Sequence, residues 1–188
     1  SCDRGEPYLC DTAYEARSDG HLITGNHKIR LNGEVINHTS GVSCYAEYAV
    51  LAEGSVIPIE KSIPLEDAAL FGCAVITGVG AVVNTAAIPP GAKVAVLGLG
   101  GVGLNALMAA TLSGADRVIA VDVLDDKLAF ARQLGATDTV NAGDADCVEQ
   151  IKELTKGGVD YAIELAGVPK ALDIAYKMCR RGGTVVTA

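Results

Sequence analysis

The sequence has no cluster of lysine and arginine residues, and its 23 acidic residues outnumber the 15 basic ones to give a net charge of −8 over 188 residues. Nucleic acids and anionic membranes are themselves negatively charged, so such a chain would be repelled by both. We therefore expect neither nucleic acid nor a membrane among its partners. Internal repeats and low-complexity segments are also missing, so nothing in the composition indicates a linker that divides the chain.

The first residues also lack the pattern of a signal peptide. Charged residues, Asp3 and Arg4, stand where a signal peptide would need an apolar core, and we expect a cytoplasmic protein. The longest stretch of low charge, 68–88, is just long enough to span a bilayer, but it consists mostly of alanine, glycine and valine and contains Asn84. We predict a buried helix there, because the chain continues directly into a strand of a soluble fold.

Apolar residues, by contrast, are plentiful: 49% of the chain is hydrophobic, which is ample for a packed core. The chain also carries six irregularly spaced cysteines, which are Cys2, Cys10, Cys44, Cys73, Cys147 and Cys179. A cytosolic chain does not readily form disulfides, so burial or metal ligation is the expected role of these thiols.

The most informative segment is an apolar strand that runs into a glycine-rich turn. Residues 94–97 lead into Gly98-x-Gly100-x-x-Gly103, a helical stretch follows, and a second apolar strand ends in Asp122, nineteen positions after the last glycine. This order is typical of a dinucleotide-binding unit. Gly98 permits a tight exit from the strand, Gly100 lets the backbone approach a pyrophosphate, and Gly103 allows the helix to pack closely on the sheet.

The turn therefore predicts a phosphate site at a helix N-terminus, where free N–H groups and the helix dipole offset negative charge. The residues expected to bind the cofactor there are Gly98, Leu99, Gly100, Gly101, Val102 and Gly103. The alternative, that these glycines serve only a turn between strand and helix, is weakened by the complete order of strand, helix, second strand and terminal aspartate.

Asp122 favours NAD over NADP. Its carboxylate can accept hydrogen bonds from an adenosine ribose and would repel a 2′-phosphate. The next residues, Val123 and Leu124, supply no arginine that could bind such a phosphate.

From residue 92 onward, short apolar runs alternate with helical stretches. The predicted strands are Lys93–Leu97, Val118–Asp122, Asp138–Asn141, Val159–Leu165 and Thr184–Thr187. The predicted helices are Val102–Ser113, Asp125–Leu134, Ala145–Thr155 and Lys170–Cys179. Such alternation indicates an α/β fold with a doubly wound parallel sheet of the Rossmann type, here incomplete with about five strands.

Residues 1–74 do not show this alternation. Gly33, residues 38–41 and the alternating stretch Ser43–Val50 indicate loops and short antiparallel strands. We predict a separate, mainly β unit at 1–74 and a dinucleotide-binding domain at 75–188, with the helix at 68–88 forming the hinge between them.

Three features follow one another along the chain: the pair Cys2-x7-Cys10, the run Gly72-Cys73-Ala74-Val75-Ile76-Thr77-Gly78, and the glycine turn through Asp122. With them, essentially the whole chain resembles the zinc-dependent medium-chain alcohol dehydrogenases. The resemblance implies that residues 1–74 are part of a mainly β, GroES-like catalytic domain. We also expect an internal fragment, because the sequence starts without methionine and stops where a sixth strand of the fold is still expected.

The resemblance also assigns metal ligands. Four cysteines of the family, spaced C-x2-C-x2-C-x7-C, bind a structural zinc, and Cys2 and Cys10 match the last two. Cys73 matches the third protein ligand of the catalytic zinc, although a buried structural thiol is the alternative. The other ligands lie upstream in the family. None of the three histidines, His21, His27 and His38, falls at a matching place.

Four further positions take their expected roles from the family. Thr77, four residues after Cys73 on a helix, resembles the position that packs near the nicotinamide ring, which makes Cys73 and Thr77 the candidate catalytic residues. Lys127 resembles the lysine that joins Asp122 at the adenosine ribose, the alternative being a solvent-facing helix lysine. Leu165 and Ala166, at the end of the fourth strand, are expected on the adenine or ribose side.

The implied reaction is hydride transfer between a small-molecule alcohol and NAD, which gives an aldehyde or ketone, with the alcohol oxygen bound to zinc. A homo-oligomer is implied for the full-length protein. The fragment alone is expected to be inactive, because the other zinc ligands lie outside it. Two alternatives stay open: a nucleotide-binding module without catalysis, and a zinc-free medium-chain reductase, against which Cys2, Cys10 and Cys73 count.

Overall fold

The computed structural model describes residues 9–188, and the chain divides into two compact units between Ser62 and Ile63. The described part of the first unit contains helix α1 (Asp11–Asp19), strands β1 (Ile29–Leu31) and β2 (Glu34–Ile36), and a short 3₁₀ helix at Glu53–Ser55. Strands β1 and β2 pair in an antiparallel hairpin. Its turn residues, Asn32 and Gly33, have φ angles of 51° and 89°. An Asn-Gly pair with positive φ at both positions is the preferred two-residue hairpin turn.

The prediction of a strand pattern at Ser43–Val50 is wrong. These residues form no strand, and the side chains of Tyr45 and Tyr48 are exposed. Alternating residues form a strand only when a neighbouring backbone bonds to them, and among the described residues of this unit no such neighbour pairs with the segment. Among residues 9–62, the β structure expected of this unit is therefore a single hairpin, and helix α1 was not expected.

The second unit begins with a continuous helical segment, α2 (Leu65–Thr85). It changes from α-helix at Leu65–Ala68 to a π turn at Phe71–Val75, returns to α-helix at Ile76–Gly80 and ends in a second π turn at Ala81–Thr85. The N–H groups of Val75 and Ala86 accordingly bond to the fifth residue before them.

The expectation that this helix is buried is wrong for most of its length. Only 17% of its most apolar window is buried, and Leu65, Ile76 and Val83 are exposed. By length and hydropathy it passes the test for a membrane span, but one such helix is weak evidence, since core helices of soluble proteins pass as well. Its buried part packs on the next helix at Gly78, where a Cβ would lie 2.3 Å from the Val102 carbonyl oxygen.

After α2, strands and helices alternate. They are β3 (Lys93–Leu97), α3 (Gly101–Leu112), β4 (Arg117–Asp122), α4 (Asp125–Gln133), β5 (Asp138–Asn141), α5 (Cys147–Thr155), β6 (Val159–Glu164), α6 (Pro169–Met178) and β7 (Cys179–Thr187). The strands form one parallel sheet in the order β5-β4-β3-β6-β7. Strands β4 and β5 are added on one side of β3, and β6 and β7 on the other, so the strand order reverses between β3 and β6, as in doubly wound folds. The prediction of a parallel, Rossmann-type sheet of five strands is confirmed.

Both faces of the sheet are covered by apolar side chains. On the central strand β3, Val94 and Val96 join one core cluster, whereas Ala95 and Leu97 join the other. Successive residues of a strand point to opposite faces, so a strand buried on both sides is apolar throughout. This explains why the strands are continuous apolar runs in the sequence.

Strand β7 begins five residues earlier than the apolar pattern predicts. It starts at Cys179 and includes the exposed residues Arg180 and Arg181. Its pairing with β6 is interrupted by a bulge, and Gly182 within it has a φ of 73°. Polar residues at an exposed edge give no apolar signal, which is why the sequence shows only the second half of this strand.

Candidate functional site

The glycine turn lies at the carboxyl end of β3, in the centre of the sheet. Gly98 has a φ of 85°, and a Cβ there would lie 2.5 Å from the backbone nitrogen of Ala166. A Cβ on Gly103 would lie 1.8 Å from the carbonyl oxygen of Gly98. Both positions therefore require glycine. Gly98 needs it for its backbone conformation and for close packing, and Gly103 needs it because the first turn of α3 lies against the end of β3.

Gly100 faces open space. It is the N-cap residue of α3, and a Cβ built on it would meet no atom within 4 Å. At the start of the helix, the Leu104 N–H donates a hydrogen bond to the Gly100 carbonyl oxygen at 2.9 Å. The amides before Leu104 have no partner inside the helix, and such N–H groups attract anions.

Asp122 ends the neighbouring strand β4 and is only 8% exposed. Its Oδ2 accepts a hydrogen bond from the Leu99 N–H at 2.7 Å, and its Oδ1 accepts one from the Leu124 N–H at 3.1 Å. The Lys127 Nζ lies 3.8 Å from Oδ2. The carboxylate thus ties the glycine turn to the loop after β4, and each oxygen keeps capacity for a further donor.

These elements border a cavity of about 440 Å³, a size typical of small-molecule sites. Six of the predicted cofactor residues line it: Gly98, Leu99, Gly100, Asp122, Lys127 and Leu165. The other three, Gly101, Val102 and Gly103, do not line it, since they continue into helix α3.

The sequence analysis named only part of one wall of this cavity. The wall contains Ala166, which was expected there, and also Val168 in the loop after β6 and residues of α6, including Lys170 and Ile174, which were not expected. Glu164, at the end of β6, is 2% exposed and bonds to this loop. A signal for Glu164 was present in the sequence, because an acidic residue directly after the apolar run 161–163 needs partners if it is buried.

Helix α2 brings Cys73 next to the same turn. Cys73 is exposed and lies in the first π turn, Thr77 is half-buried one turn later, and the Cβ of Ala74 lies 3.6 Å from the position of a Cβ on Gly101. The candidate metal ligand and the glycine turn are therefore neighbours within the second unit. π turns inside helices occur frequently at functional sites.

The described residues do not complete a zinc site. Within residues 9–188, no three histidine, cysteine, aspartate or glutamate side chains come together in a group able to hold a metal ion. Cys2 lies outside the described residues, and Cys10 is the N-cap residue of α1. Since zinc sites use at least three protein ligands, Cys73 does not suffice for one.

Comparison with known proteins gives consistent results. Residues 101–188 match the family model of the zinc-binding dehydrogenases. The crystal structure of an alcohol dehydrogenase zinc-binding domain protein from Burkholderia ambifaria is similar over 100% of this chain, with 37% identity and a TM-score of 0.90. The benzyl alcohol dehydrogenase of Acinetobacter calcoaceticus is similar over 96%, with 33% identity and a TM-score of 0.82. The alcohol dehydrogenase TADH of Thermus sp. ATN1 is similar over 70%, with 31% identity and a TM-score of 0.66.

The chain spans about half the length of the first two of these structures, 51% and 52%, and 38% of the third. The similarity includes both the parallel sheet with its glycine turn and the segment before it, since the first structure is matched along the whole chain. The chain therefore belongs to the zinc-binding dehydrogenase family.

Proposed function

We propose that the protein containing this chain transfers a hydride between a small-molecule alcohol and NAD. The observation that carries the proposal is the buried Asp122 carboxylate at the edge of a cavity whose other border is the open backbone at Gly100. A carboxylate for ribose hydroxyls and unpartnered N–H groups for a pyrophosphate are the two recognition elements of an adenine dinucleotide.

In this proposal the chain's own residues bind and orient the cofactor. The first amides of α3 donate to the pyrophosphate, Asp122 accepts from the ribose hydroxyls, and Lys127 adds a donor beside it. NAD, when bound, supplies the hydride acceptor of the reaction. Leu165 lines the same cavity and contributes an apolar contact.

For zinc, the proposal assigns to this chain only some of the ligands of each site. Cys73 provides one thiolate of a catalytic zinc site, and Thr77 packs beside the nicotinamide; both side chains are on α2, which contacts the glycine turn through Ala74 and Gly101. Cys2 and Cys10 provide two thiolates of a structural zinc site. The remaining ligands of both sites come from outside this chain, so the 188 residues alone bind NAD but do not oxidise alcohols.

The substrate is an alcohol or aldehyde of low molecular weight, a class supported by the benzyl alcohol dehydrogenase among the similar structures. We further propose a cytoplasmic homo-oligomer for the full-length protein. Support for the compartment comes from Cys44, Cys73, Cys147 and Cys179, which carry free thiols.

Calorimetric titration of the chain with NAD and NADP tests the cofactor assignment. We expect NAD to bind more tightly than NADP, and Asp122→Asn to reduce this preference about tenfold, which corresponds to about 1.4 kcal/mol. The matched control is Asp116→Asn, an exposed aspartate just before the same strand, which should change neither affinity. Equal binding of both cofactors by the unchanged chain would contradict the assignment.

The two alternatives are separated by the full-length protein. A zinc-free reductase would keep its alcohol-dependent NAD reduction after dialysis against a chelator, whereas the proposed enzyme loses it. A binding module would bind NAD but reduce none of it with any alcohol. Cys73→Ser in the full-length protein should abolish turnover and leave the affinity for NAD unchanged.

A further inference from the structure

Glu164 is an acidic residue in the interior of the second unit. It ends strand β6 and is 2% exposed. Burying a carboxylate costs free energy unless its oxygens accept hydrogen bonds. Here Oε1 accepts bonds from the backbone N–H groups of Ala166 at 2.8 Å and Gly167 at 2.9 Å, and Oε2 accepts one from the Thr187 hydroxyl at 2.8 Å.

Two of these donors belong to the loop that forms one wall of the cofactor cavity. Gly167 in this loop has a φ of 70°, and Ala166 and Val168 line the cavity. The backbone of Ala166 also packs directly on the glycine turn, at the point where a Cβ on Gly98 would lie 2.5 Å from the Ala166 nitrogen. The carboxylate therefore holds the amide of Ala166, which lies against the turn, and the amide of the next residue.

The third donor anchors the carboxylate to the sheet. Thr187 lies on β7 directly opposite Glu164 in the register of the two strands. The start of the loop is fixed on the other side, because the Leu165 N–H bonds to the Leu97 carbonyl at 2.8 Å. The loop is thus attached to two neighbouring strands, and one of the two attachments passes through the Glu164 side chain.

We infer that Glu164 is a positioning residue for the cofactor cavity: its carboxylate holds the Ala166–Gly167 turn in the place where the loop after β6 forms the cavity wall. Glu164 itself does not line the cavity, so it acts through the loop. The inference rests on the proposed function as far as NAD is concerned. The loop's dependence on Glu164 can be measured without any ligand.

Two measurements on the full chain test this role: hydrogen exchange without ligand, and the Kd for NAD. The variants are Glu164→Ala, Glu164→Gln and Thr187→Val. Without ligand, Glu164→Ala should raise hydrogen exchange at the amides of Ala166 and Gly167 at least tenfold, because both lose their acceptor. It should also raise the Kd for NAD at least tenfold. Glu164→Gln should stay within about threefold of the unchanged chain in both, because the amide oxygen still accepts from the loop and its NH₂ donates to the Thr187 hydroxyl.

Thr155→Val is the matched control. Thr155 is 1% exposed and closes the turn before the same strand, where its hydroxyl donates to the Ile151 carbonyl at 2.6 Å and accepts from the Gly158 N–H at 2.9 Å. Losing these bonds should lower stability yet leave the Kd for NAD and the exchange of Ala166 and Gly167 unchanged. If the role of Glu164 were merely structural, Glu164→Ala would resemble Thr155→Val: it would lower stability and leave the exchange of Ala166 and Gly167 and the Kd for NAD unchanged.

The outcomes separate the positioning role from the proposed function. If the unchanged chain does not bind NAD, the proposed function fails, while accelerated exchange in Glu164→Ala still supports the hold on the loop. Unchanged exchange, or faster exchange with an unchanged Kd, overturns the positioning role. Should Glu164→Ala not fold, Thr187→Val takes its place, since it removes one anchoring bond only. Faster exchange at Ala166 and Gly167 than in the unchanged chain then supports the role, and unchanged exchange overturns it.

Discussion

Gly103 lies so close to Gly98 that a Cβ at position 103 would be 1.8 Å from the Gly98 carbonyl oxygen. The contact joins the first turn of α3 to the exit of β3, and it sets how near the helix N-terminus comes to the sheet. The atom in the way is backbone, so it cannot move aside as the end of a flexible side chain can.

Gly103→Ala should therefore destabilise the chain by roughly 1–3 kcal/mol, the usual range for overpacking. Urea unfolding followed by circular dichroism measures this. Gly101→Ala is the control on the same helix turn, because its Cβ would meet only Ala74 at 3.6 Å, an ordinary contact. That variant should be as stable as the unchanged chain or slightly more so, since alanine favours helix over glycine. Equal losses in both variants would contradict the crowding argument.

Gly78 should behave in the same way at the crossing of α2 and α3. A Cβ there would lie 2.3 Å from the Val102 carbonyl and 2.8 Å from the Ala106 nitrogen, both backbone atoms. Gly78→Ala is expected to lower the free energy of unfolding by about 1–3 kcal/mol, measured by urea titration. Gly80→Ala, two residues later on the same helix, meets nothing closer than the Asn84 side chain at 3.9 Å and should cost nothing.

Cys147 should be the slowest of the described thiols to react. Burial raises its pKa to about 11, helped by the negative charges of Asp144, Asp146 and Glu149. At pH 8 its thiolate fraction is about 100-fold below that of the same thiol at its ordinary pKa of 9.0. Iodoacetamide labelling read by mass spectrometry should modify the exposed Cys44 and Cys73 first and Cys147 only after unfolding in urea. If Cys147 were labelled as fast as Cys44 in the folded chain, its thiol would be accessible to the reagent, and the prediction would be wrong.

Asp160 should make the stability depend on pH. Burial alone would raise the pKa of its carboxyl, but hydrogen bonds from the Lys93 backbone and the Arg180 guanidinium outweigh burial and lower the pKa below its ordinary value of 3.8. A lowered pKa in the folded state means that this stabilisation is complete above about pH 3.8 and is lost as the pH falls through the folded-state pKa.

Asp160→Asn tests this dependence. At pH 7 it should lower the free energy of unfolding by roughly 1–2 kcal/mol, as expected for charged hydrogen bonds that are partly exposed. The difference from the unchanged chain should shrink in urea titrations below about pH 3.8. Asp173→Asn is the control. It loses only an exposed ion pair with Lys177, which lies on a helix and not in the sheet, and should have a small effect. A difference at Asp160 that stays constant with pH would exclude the carboxylate as its cause.

Most of the second unit could be predicted from the sequence, because its strands are buried on both faces and its helices begin and end near glycine or polar residues. Four of the five predicted strands agree with the structure to within a residue at each end, and only β7 differs substantially. The first unit could be predicted far less well. Residues 43–50 alternate like a strand, but alternation does not supply a neighbour, and helix α1 has few apolar residues to reveal it.

The parallel sheet, the glycine turn and the position of Asp122 could be predicted from the sequence, since each leaves a pattern among residues that are close together along the chain. Which side chains meet across the sheet became known only from the three-dimensional fold. The 164–187 pair exists because β6 and β7 are neighbours, Gly78 is required because α2 crosses α3, and Ala166 reaches Gly98 because β3 and β6 lie side by side. Such contacts join residues distant in sequence, and no local pattern encodes them.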